Sequence, residues 1–572
     1  MLPGFYEIIV CVFLGLTTHL IGLLAGKKNK KLGIAAEGVA ALLVTGIVFY
    51  LNPSTDGFLY FSFLASGWSS GFTLTRGLEK YREVKRELDT AGVEQIITVR
   101  SSSRIAFDLV FVIIVYAGAI LFLFYGPKES PLHFVIVFGM FPSLSMLVKR
   151  VIDWKKVRFY YGEAEQKLYI ISWFHARTYT LQDAESVAVE SAVDLLKLHP
   201  YFTLFTSRVD FTTSMQRVLR IQFPGESVYM TVEQAEQWQK RLTNFTANQT
   251  GDDQELVVLP FYHRKNIKRL FGKLYFAMTV KGISAYTGLV LLLYFLKAPP
   301  MMMAFLAGCY WVFNLYISDR VLKTAMDAKE VEDPIVIKAA RKVFSRAGIP
   351  NVKVYVTESD EYNGLAAGMN IGHSLVTLTS TTLKLPPTVL EGILAHEAVH
   401  VKKRDVMWKQ IANALLLLGY VSIVFVIAEN ISDIEAVKTP LFFVFWLMFM
   451  LFPVFQSLLS QWCEVRADFL GSSYLDGGTE QMAESMTAIA VKQDEAALKS
   501  VGYSETKQSE MVKESSLDRS PWWLRVVEFQ MMPHPPMYWR IQALHSQPCG
   551  WGIAVCKYWF ISRWKESFYR KK

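Results

Sequence analysis

Two histidines and a glutamate with the spacing of a metal site lie within the run His396-Glu397-Ala398-Val399-His400. Apolar residues at helical spacing surround this run, and Pro387 suits the first turn of a helix, where its missing N–H costs nothing. His396 and His400 are therefore expected one turn apart on one helix face. Two neutral imidazoles at this spacing can hold one zinc ion, while Glu397 can reach a water on the metal.

Chance is a weak alternative explanation for this run. With 10 His in 572 residues, a random H-E-x-x-H run has a probability of about one in a hundred. A third ligand is also available, because a second segment that is typical of a helix places Glu464 and Asp468 on one face. A catalytic zinc takes three protein ligands plus water. We therefore predict one zinc per chain, held by His396, His400 and Glu464.

These segments occur in a fixed order along the chain. Asp405 follows the first run, Glu464 to Asp468 reads E-x-x-A-D, and His534-Pro535-Pro536 precedes Arg540. Taken together, they resemble the M48 family of integral-membrane zinc peptidases, the HtpX and Ste24 group. The resemblance covers roughly residues 265 to 545. It extends to Asn363-Gly364-Leu365-Ala366, which is similar to the family's substrate-side N-A-F-A strand but departs from it at Gly364 and Leu365.

The expected chemistry is zinc-dependent hydrolysis of peptide bonds. Glu397 would be the general base, and the resemblance implies that His534 and Arg540 stabilise the tetrahedral oxyanion. Asp405 and Asp468 are candidates for fixing the imidazole tautomers, or are plain carboxylates on a helix surface. An extended segment would let a peptide substrate add as a strand, although a Gly-containing loop is the alternative there. The predicted substrate-binding residues are Asn363, Gly364, Leu365 and Ala366.

The composition indicates a membrane protein rather than a soluble one. The chain is 52% hydrophobic and 14% aromatic, and its 5 Cys are scattered without a C-x-x-C pair, which argues against a disulfide framework. Apolar runs of membrane-spanning length predict about nine spans. These runs are Phe5–Gly26, Gly33–Leu51, Phe58–Thr75, Ile105–Tyr125, Pro131–Leu147, Leu274–Leu296, Met301–Ile317, Trp408–Ala428 and Leu441–Ser460.

Lysine and arginine are concentrated in alternate loops between these runs. This asymmetry predicts an N-terminus outside the cell and a zinc site in the cytoplasm, in the multi-pass setting of a bacterial inner membrane. The net charge of +9 is then explained by basic loops that face anionic lipid, and it requires no nucleic-acid partner.

A soluble insert rich in short aromatic and β-branched segments lies between the fifth and sixth runs. Strands are predicted over 157–161, 167–171, 178–181, 209–211, 218–223 and 228–230, followed by a helix from Val232 to Asn244. Several strands with one C-terminal helix resemble the bacterial PH-like domains, so a lipid or protein partner of the insert is possible.

The predicted fold class is mainly α: a polytopic membrane protein with a cytoplasmic zincin-type α+β protease domain and a β-rich PH-like insert. The predicted domains are residues 1–150 with about five spans, 151–250 as the PH-like domain, 262–320 as a transmembrane hairpin, and 321–572 as the peptidase with a second hairpin at about 408–460.

The expected function is cleavage of membrane or membrane-associated proteins on the cytoplasmic side, in protein quality control or a stress response. Two alternatives are a regulated signalling protease and a catalytically silent membrane scaffold. A silent scaffold would have no reason to retain Glu397, which binds no metal in this scheme.

Overall fold

The structure is a computed structural model that describes most of the chain, namely residues 4–27, 29–52, 56–75, 78–125, 132–190, 208–245, 264–276, 293, 298–367, 374–430, 434–504 and 515–568. Helices dominate it, and short strands occur in two regions. The helices of the N-terminal half are α1 Phe5–Gly26, α2 Lys30–Leu51, α3 Asp56–Thr75, α4 Leu78–Thr90, α5 Ser102–Tyr125, α6 Leu132–Lys156, α7 Ala235–Thr243 and α8 Arg264–Phe276.

The C-terminal half contains nine further helices among its described residues. They are α9 Pro300–Ala325, α10 Pro334–Ala347, α11 Pro387–Lys403, α12 Asp405–Asn430, α13 Ile434–Ser472, α14 Gly478–Ser504, α15 Trp522–Gln530, α16 Met537–Ser546 and α17 Ile553–Phe568.

Three described helices are long and apolar enough to cross a membrane: Tyr6–Gly26, Lys31–Leu51 and Ser102–Tyr125. A bent pair within α9 would make a fourth span. The predicted count of nine is therefore not confirmed. The predicted span Leu274–Leu296 falls almost entirely on residues outside the described ranges.

Eight strands and α7 form a β domain that begins earlier in the chain than expected. Its sheets have the orders β1-β2-β3-β4 and β5-β7-β8-β6. Strand β1 comes from between α4 and α5 and pairs with β2, so the insert alone does not complete the domain. The strands are β1 Val93–Ile96, β2 Arg158–Gly162, β3 Lys167–Ile171, β4 Ala176–Thr180, β5 Ser186–Glu190, β6 Arg208–Phe211, β7 Val218–Phe223 and β8 Glu226–Met230.

A second, smaller sheet belongs to the C-terminal domain, which comprises the described residues from Lys329 to Phe568. Its order is β11-β12-β10-β9, with β10 and β12 parallel and the other pairs antiparallel. Helix α10 packs against α11 and shares a hydrophobic core with this sheet. It begins where the Asp333 side chain accepts a hydrogen bond from the backbone N–H of Ile335. The strands are β9 Lys329–Glu330, β10 Lys353–Thr357, β11 Gly364–Ala367 and β12 Leu375–Thr379.

Helix α13 joins a predicted membrane span to the predicted third ligand without a break. Its 39 residues have a length of about 58 Å at 1.5 Å per residue. This is almost twice the ~30 Å hydrocarbon thickness of a bilayer. A helix of this length can cross the apolar layer and still present Glu464 and Asp468 in the domain outside it.

Candidate active site

Helix α11 presents the two histidines on one face. Pro387 occupies its first turn, and Leu390, Leu394 and Ala398 are buried in the core of the C-terminal domain. This packing fixes the rotation of the helix and turns the opposite face toward α13. The Nε2 atoms of His396 and His400 lie 3.1 Å apart.

Glu464 approaches both imidazoles from α13. Its Oε2 lies 3.3 Å from Nε2 of His396 and its Oε1 lies 3.6 Å from Nε2 of His400. Donor atoms about 2.0–2.1 Å from one zinc ion would lie roughly 3.3–3.4 Å from one another in a tetrahedron. The donor set of two imidazoles and one carboxylate therefore fits zinc in both chemistry and spacing.

Each imidazole is held by a carboxylate on its other nitrogen. His396 Nδ1 donates to Asp468 Oδ1 at 2.9 Å, and His400 Nδ1 donates to Asp405 Oδ2 at 2.8 Å. These contacts fix the tautomer that leaves Nε2 free for a metal. The structure thus brings together the two predicted ligands and the two carboxylates predicted to orient them.

Two arginines in turn hold the carboxylates. Arg540 donates to Asp468 through Nε at 2.8 Å and through Nη2 at 2.6 Å. Arg466 donates to Asp405 and stacks on Trp462, with 4.2 Å between its guanidinium carbon and the ring centroid. The sequence analysis missed Arg466, whose partner Asp405 lies 61 residues away in the chain.

The buried charges of the site are strongly coupled. Burial alone would lower the pKa of the His396 imidazole, but hydrogen bonds and charges from Asp468 and Glu464 raise that pKa to about 10. Burial would raise the pKa of the Glu464 carboxyl, yet His534 and His400 hold it well below its ordinary range. The carboxylates and the imidazoles therefore each favour the charged form of the other.

Glu397 lies in the same helix as the two histidines but faces the edge strand β11. A Cβ added to Gly364 would lie 3.1 Å from Glu397 Oε1 and 3.0 Å from Ile393 Cγ2. The departure from the family motif at Gly364 thus leaves room for the carboxylate of Glu397. Glu397 is buried in the protein and lines the cleft.

Strand β11 lies at the end of its sheet, with Gly364 paired to Leu378 and Ala366 paired to Val376 on β12. The predicted extended conformation is therefore present, rather than a plain loop. A cleft of about 650 Å³ runs between this strand and the helices. Asn363, Gly364, Leu365 and Ala366 all line it, together with the three predicted ligands.

His534 and Arg540 occupy different positions relative to this cleft. His534 is exposed, and its Nδ1 lies 2.9 Å from Glu464 Oε2. Arg540 also lines the cleft, but it is buried and its guanidinium is engaged with Asp468. The hydrogen bonds of Arg540 are therefore with the partner of His396, and its Nη2 also lies 3.9 Å from Glu464 Oε2. His534 borders the open side.

Helix α14 forms a wall of the cleft that the sequence analysis did not assign. Met482, Met486, Ile489 and Gln493 recur at helical spacing and all line the cleft. This periodicity was the available signal. The amide of Gln493 also donates to the carbonyl of Tyr362 at 2.7 Å, which connects the helix to the segment before β11.

The comparisons with known proteins agree with this geometry. Residues 330–547 match the model of peptidase family M48, and residues 158–246 match that of a bacterial PH domain. The chain is similar to the protease HtpX homolog of Pelotomaculum thermopropionicum, with 38% identity over 107 residues, which are 18% of this chain and 38% of that protein.

Two other HtpX homologs show comparable similarity. That of Sulfurihydrogenibium sp. is 34% identical over 144 residues, or 24% of this chain and 49% of the relative. That of Aquifex aeolicus is 31% identical over 114 residues, which are 19% of this chain and 38% of that protein. The chain thus matches less than half the length of these curated relatives. Residues 330–547 are thus similar to the peptidases of family M48, the HtpX homologs among them, and residues 158–246 are similar to bacterial PH domains.

Proposed function

We propose that this chain is a membrane-embedded zinc endopeptidase that cleaves membrane or membrane-associated proteins on the cytoplasmic side. One observation carries the proposal: His396, His400 and Glu464 converge beside Glu397 in a cleft with an edge strand on one side. A structural metal site would be closed by a fourth protein ligand, whereas a catalytic one keeps an open position. Only three donors converge among the described residues, and the open side faces the cleft.

His396, His400 and Glu464 would hold one zinc ion. When bound, zinc polarises the scissile carbonyl and lowers the pKa of a water toward ~7. Asp405 and Asp468 keep the imidazoles in the tautomer that binds a metal, while Arg466 and Arg540 hold these carboxylates in place.

Glu397 would move the proton in the reaction. Its carboxylate accepts a proton from the attacking water and returns it to the nitrogen of the leaving amine as the C–N bond breaks. Because residue 364 has no Cβ, this carboxylate can lie close against the edge strand beside which the substrate would bind. His534, on the open side of the cleft, is the better placed of the two predicted oxyanion partners.

Strand β11 would bind the peptide through its free edge. Main-chain hydrogen bonds hold an extended segment of any sequence, whereas side-chain pockets select among sequences. The Met and Ile side chains of α14 opposite the strand provide apolar contact. An extended, unfolded segment of a membrane protein is the substrate class that suits this arrangement, and it supports a role in quality control.

A regulated signalling protease is a second candidate, because the β domain contacts the segments that form the cleft. Arg220 of β7 lies 3.2 Å from Glu358, and Ser227 of β8 donates to Asp360 at 2.7 Å, both shortly before β11. A partner of the β domain could therefore influence cleavage. The catalytically silent scaffold is less well supported, since Glu397, which would bind no metal, lines the cleft together with the three donors.

The proposal is tested with Glu397→Gln and a matched control, Glu391→Gln. Glu391 lies on the same helix but pairs with Lys342 at 2.8 Å, outside the cleft. We expect both variants to bind one zinc. We expect Glu397→Gln to lower peptide hydrolysis by about 10²–10⁴-fold, while Glu391→Gln keeps it. Full hydrolysis by Glu397→Gln, or wild-type protein that binds no zinc, would contradict the proposal.

A further inference from the structure

We propose that the β domain positions two walls of the cleft: the helical wall, which is α14, and the strand wall, which is β11 with the segment that leads into it. Tyr503, Gly225 and Ser227 would be the positioning residues for the peptidase reaction. The inference rests on the proposed function. It adds that a domain outside the peptidase sets the width of the groove that receives an extended substrate.

The helical wall ends inside the β domain. Tyr503, in the last turn of α14, is buried in the same hydrophobic cluster as the strands of that domain. Its ring centroid lies 4.7 Å from that of Tyr179 and 5.7 Å from that of Phe223. Gln493 and Tyr503 are ten residue steps apart, which is about 15 Å of helix. A displacement at this end is therefore transmitted to the part of α14 that lines the cleft.

A glycine lets α14 lie directly on the β domain. Gly225 is in the turn between β7 and β8 with a φ of +82°, and a Cβ there would lie 2.4 Å from the carbonyl oxygen of Ala496. Only glycine combines this backbone conformation with this approach. Two polar contacts between α14 and the β domain lie near this close approach: Lys499 lies 2.8 Å from Asp183, and Ser500 donates to Glu226 at 3.3 Å.

The strand wall is attached to the same domain. Asp360, three residues before Asn363, is buried and accepts a hydrogen bond from Ser227. Lys384, in the turn that leads toward α11, lies 2.6 Å from Glu185 of the β domain. Two sides of the cleft, helix α14 and the segment that leads into β11, therefore both contact the β domain.

The β domain is in turn fixed to helices α5 and α6 on another side. Arg104 of α5 lies 2.7 Å from Asp210, and Arg150 of α6 donates to the carbonyl of Thr212 at 2.7 Å. Asp210 is in β6, so the attachment involves the same sheet that carries Ser227. A domain held on two sides is suited to act as a rigid support for the cleft.

Within the described part of the chain, the contacts given above for Tyr503, Gly225 and Ser227 are with residues other than the predicted metal ligands and Glu397. Loosening the interface should therefore leave zinc binding and the chemistry at the metal intact, and it should weaken the binding of substrates that occupy both walls. A displacement of about 1 Å in a positioning element can cost on the order of 10²-fold in catalytic efficiency. We expect a rise in KM of about ten- to a hundredfold for a long unfolded protein substrate, with a small change for a short peptide.

Two pairs of variants test the inference in the full chain. Gly225→Ala forces α14 away from the β domain, and Gly348→Ala is its control, because Gly348 also has a positive φ, +74°, but has open space around it. Tyr503→Ala removes the buried ring, whereas Tyr503→Phe retains it and deletes a hydroxyl that has no hydrogen-bond partner among the described residues.

The measurements are zinc content, resistance of the β domain to limited proteolysis, and kcat and KM for a short peptide and for an unfolded protein. Gly225→Ala and Tyr503→Ala should raise KM for the unfolded protein while zinc content and short-peptide turnover stay within about twofold. Tyr503→Phe and Gly348→Ala should keep the wild-type KM.

Two results would overturn the inference. One is an unchanged KM for the unfolded protein in both test variants with the β domain intact. The other is a loss of zinc content and of short-peptide turnover in parallel with the rise in KM, which is the signature of general misfolding. Absence of zinc-dependent cleavage by the wild-type chain would instead remove the proposed function itself, so the two failures are distinguishable.

Discussion

Replacing Arg540 by Met distinguishes two roles for this arginine. The family resemblance implies that Arg540 stabilises the oxyanion on the substrate. In the structure its guanidinium donates two hydrogen bonds to Asp468, which in turn accepts the Nδ1 proton of His396. We therefore expect Arg540 to act through the zinc ligand, and the variant to affect metal affinity before it affects the chemical step.

The magnitude follows from the burial of this pair. Removing one partner of a buried ion pair is destabilising by about 3–5 kcal/mol, because the other charge stays buried without compensation. Loss of an outer partner of a ligating histidine typically lowers metal affinity by about 10–100-fold, which is roughly 1.4–2.7 kcal/mol. Direct action on the oxyanion would instead cost about 10²–10³-fold in kcat and leave zinc affinity unchanged.

The assay is a zinc competition titration against a chelating dye, followed by kcat at saturating zinc. Arg540→Met should raise the zinc Kd by about 10–100-fold and recover most of its kcat when zinc is saturating. Arg540→Lys keeps the charge but not the two parallel hydrogen bonds, so its zinc Kd should lie between those of the wild type and of Arg540→Met. Arg519→Met, which removes an exposed pair with Glu566, is the control. An unchanged zinc Kd with a large loss of kcat would refute the reasoning.

Three further predictions concern other parts of the site and the topology. Arg466→Met should weaken zinc binding by about tenfold in the same titration, because Asp405 would no longer hold His400 in place; an unchanged Kd would exclude this support. His534→Ala should keep one zinc by metal analysis but lower kcat by about 10²–10³-fold, and full activity would remove His534 from the oxyanion site. In a Cys-free background, a membrane-impermeant thiol reagent applied to intact cells should label Asn430→Cys and spare Lys403→Cys, since about 39 Å of helix α12 separates the two positions. The opposite labelling pattern would place the site outside the cell.

The parts of the site that could be predicted from the sequence are governed by local geometry. One helical turn separates His396 from His400 whatever the rest of the fold does, so their spacing alone indicates a shared metal. The same holds for Glu464 and Asp468 on α13, which the structure places on a common face beside them. Strand β11 was expected only from the resemblance to the family's substrate-side strand, because a Gly-containing loop was the alternative reading of the same residues.

The interface between the β domain and α14 could not be predicted by the same means. Residues 499–520 are polar and lack periodicity, which is typical of a mobile loop, yet residues 499–504 continue α14. Periodicity appears in a sequence only when a helix packs along its length. Among the described residues after Gln493, the end of α14 buries Ala496 and Tyr503, and Tyr503 packs against a domain that lies more than two hundred residues earlier in the chain. Two buried side chains seven residues apart, with polar residues between them, give only a weak repeat, and the glycine that permits the contact lies on the other partner. The main trace in the sequence is therefore Gly225 in a turn, where glycine is already expected for the turn itself. For this reason the geometry of the assembled domains, rather than any pattern within one segment, is needed to identify the residues that set the width of the cleft.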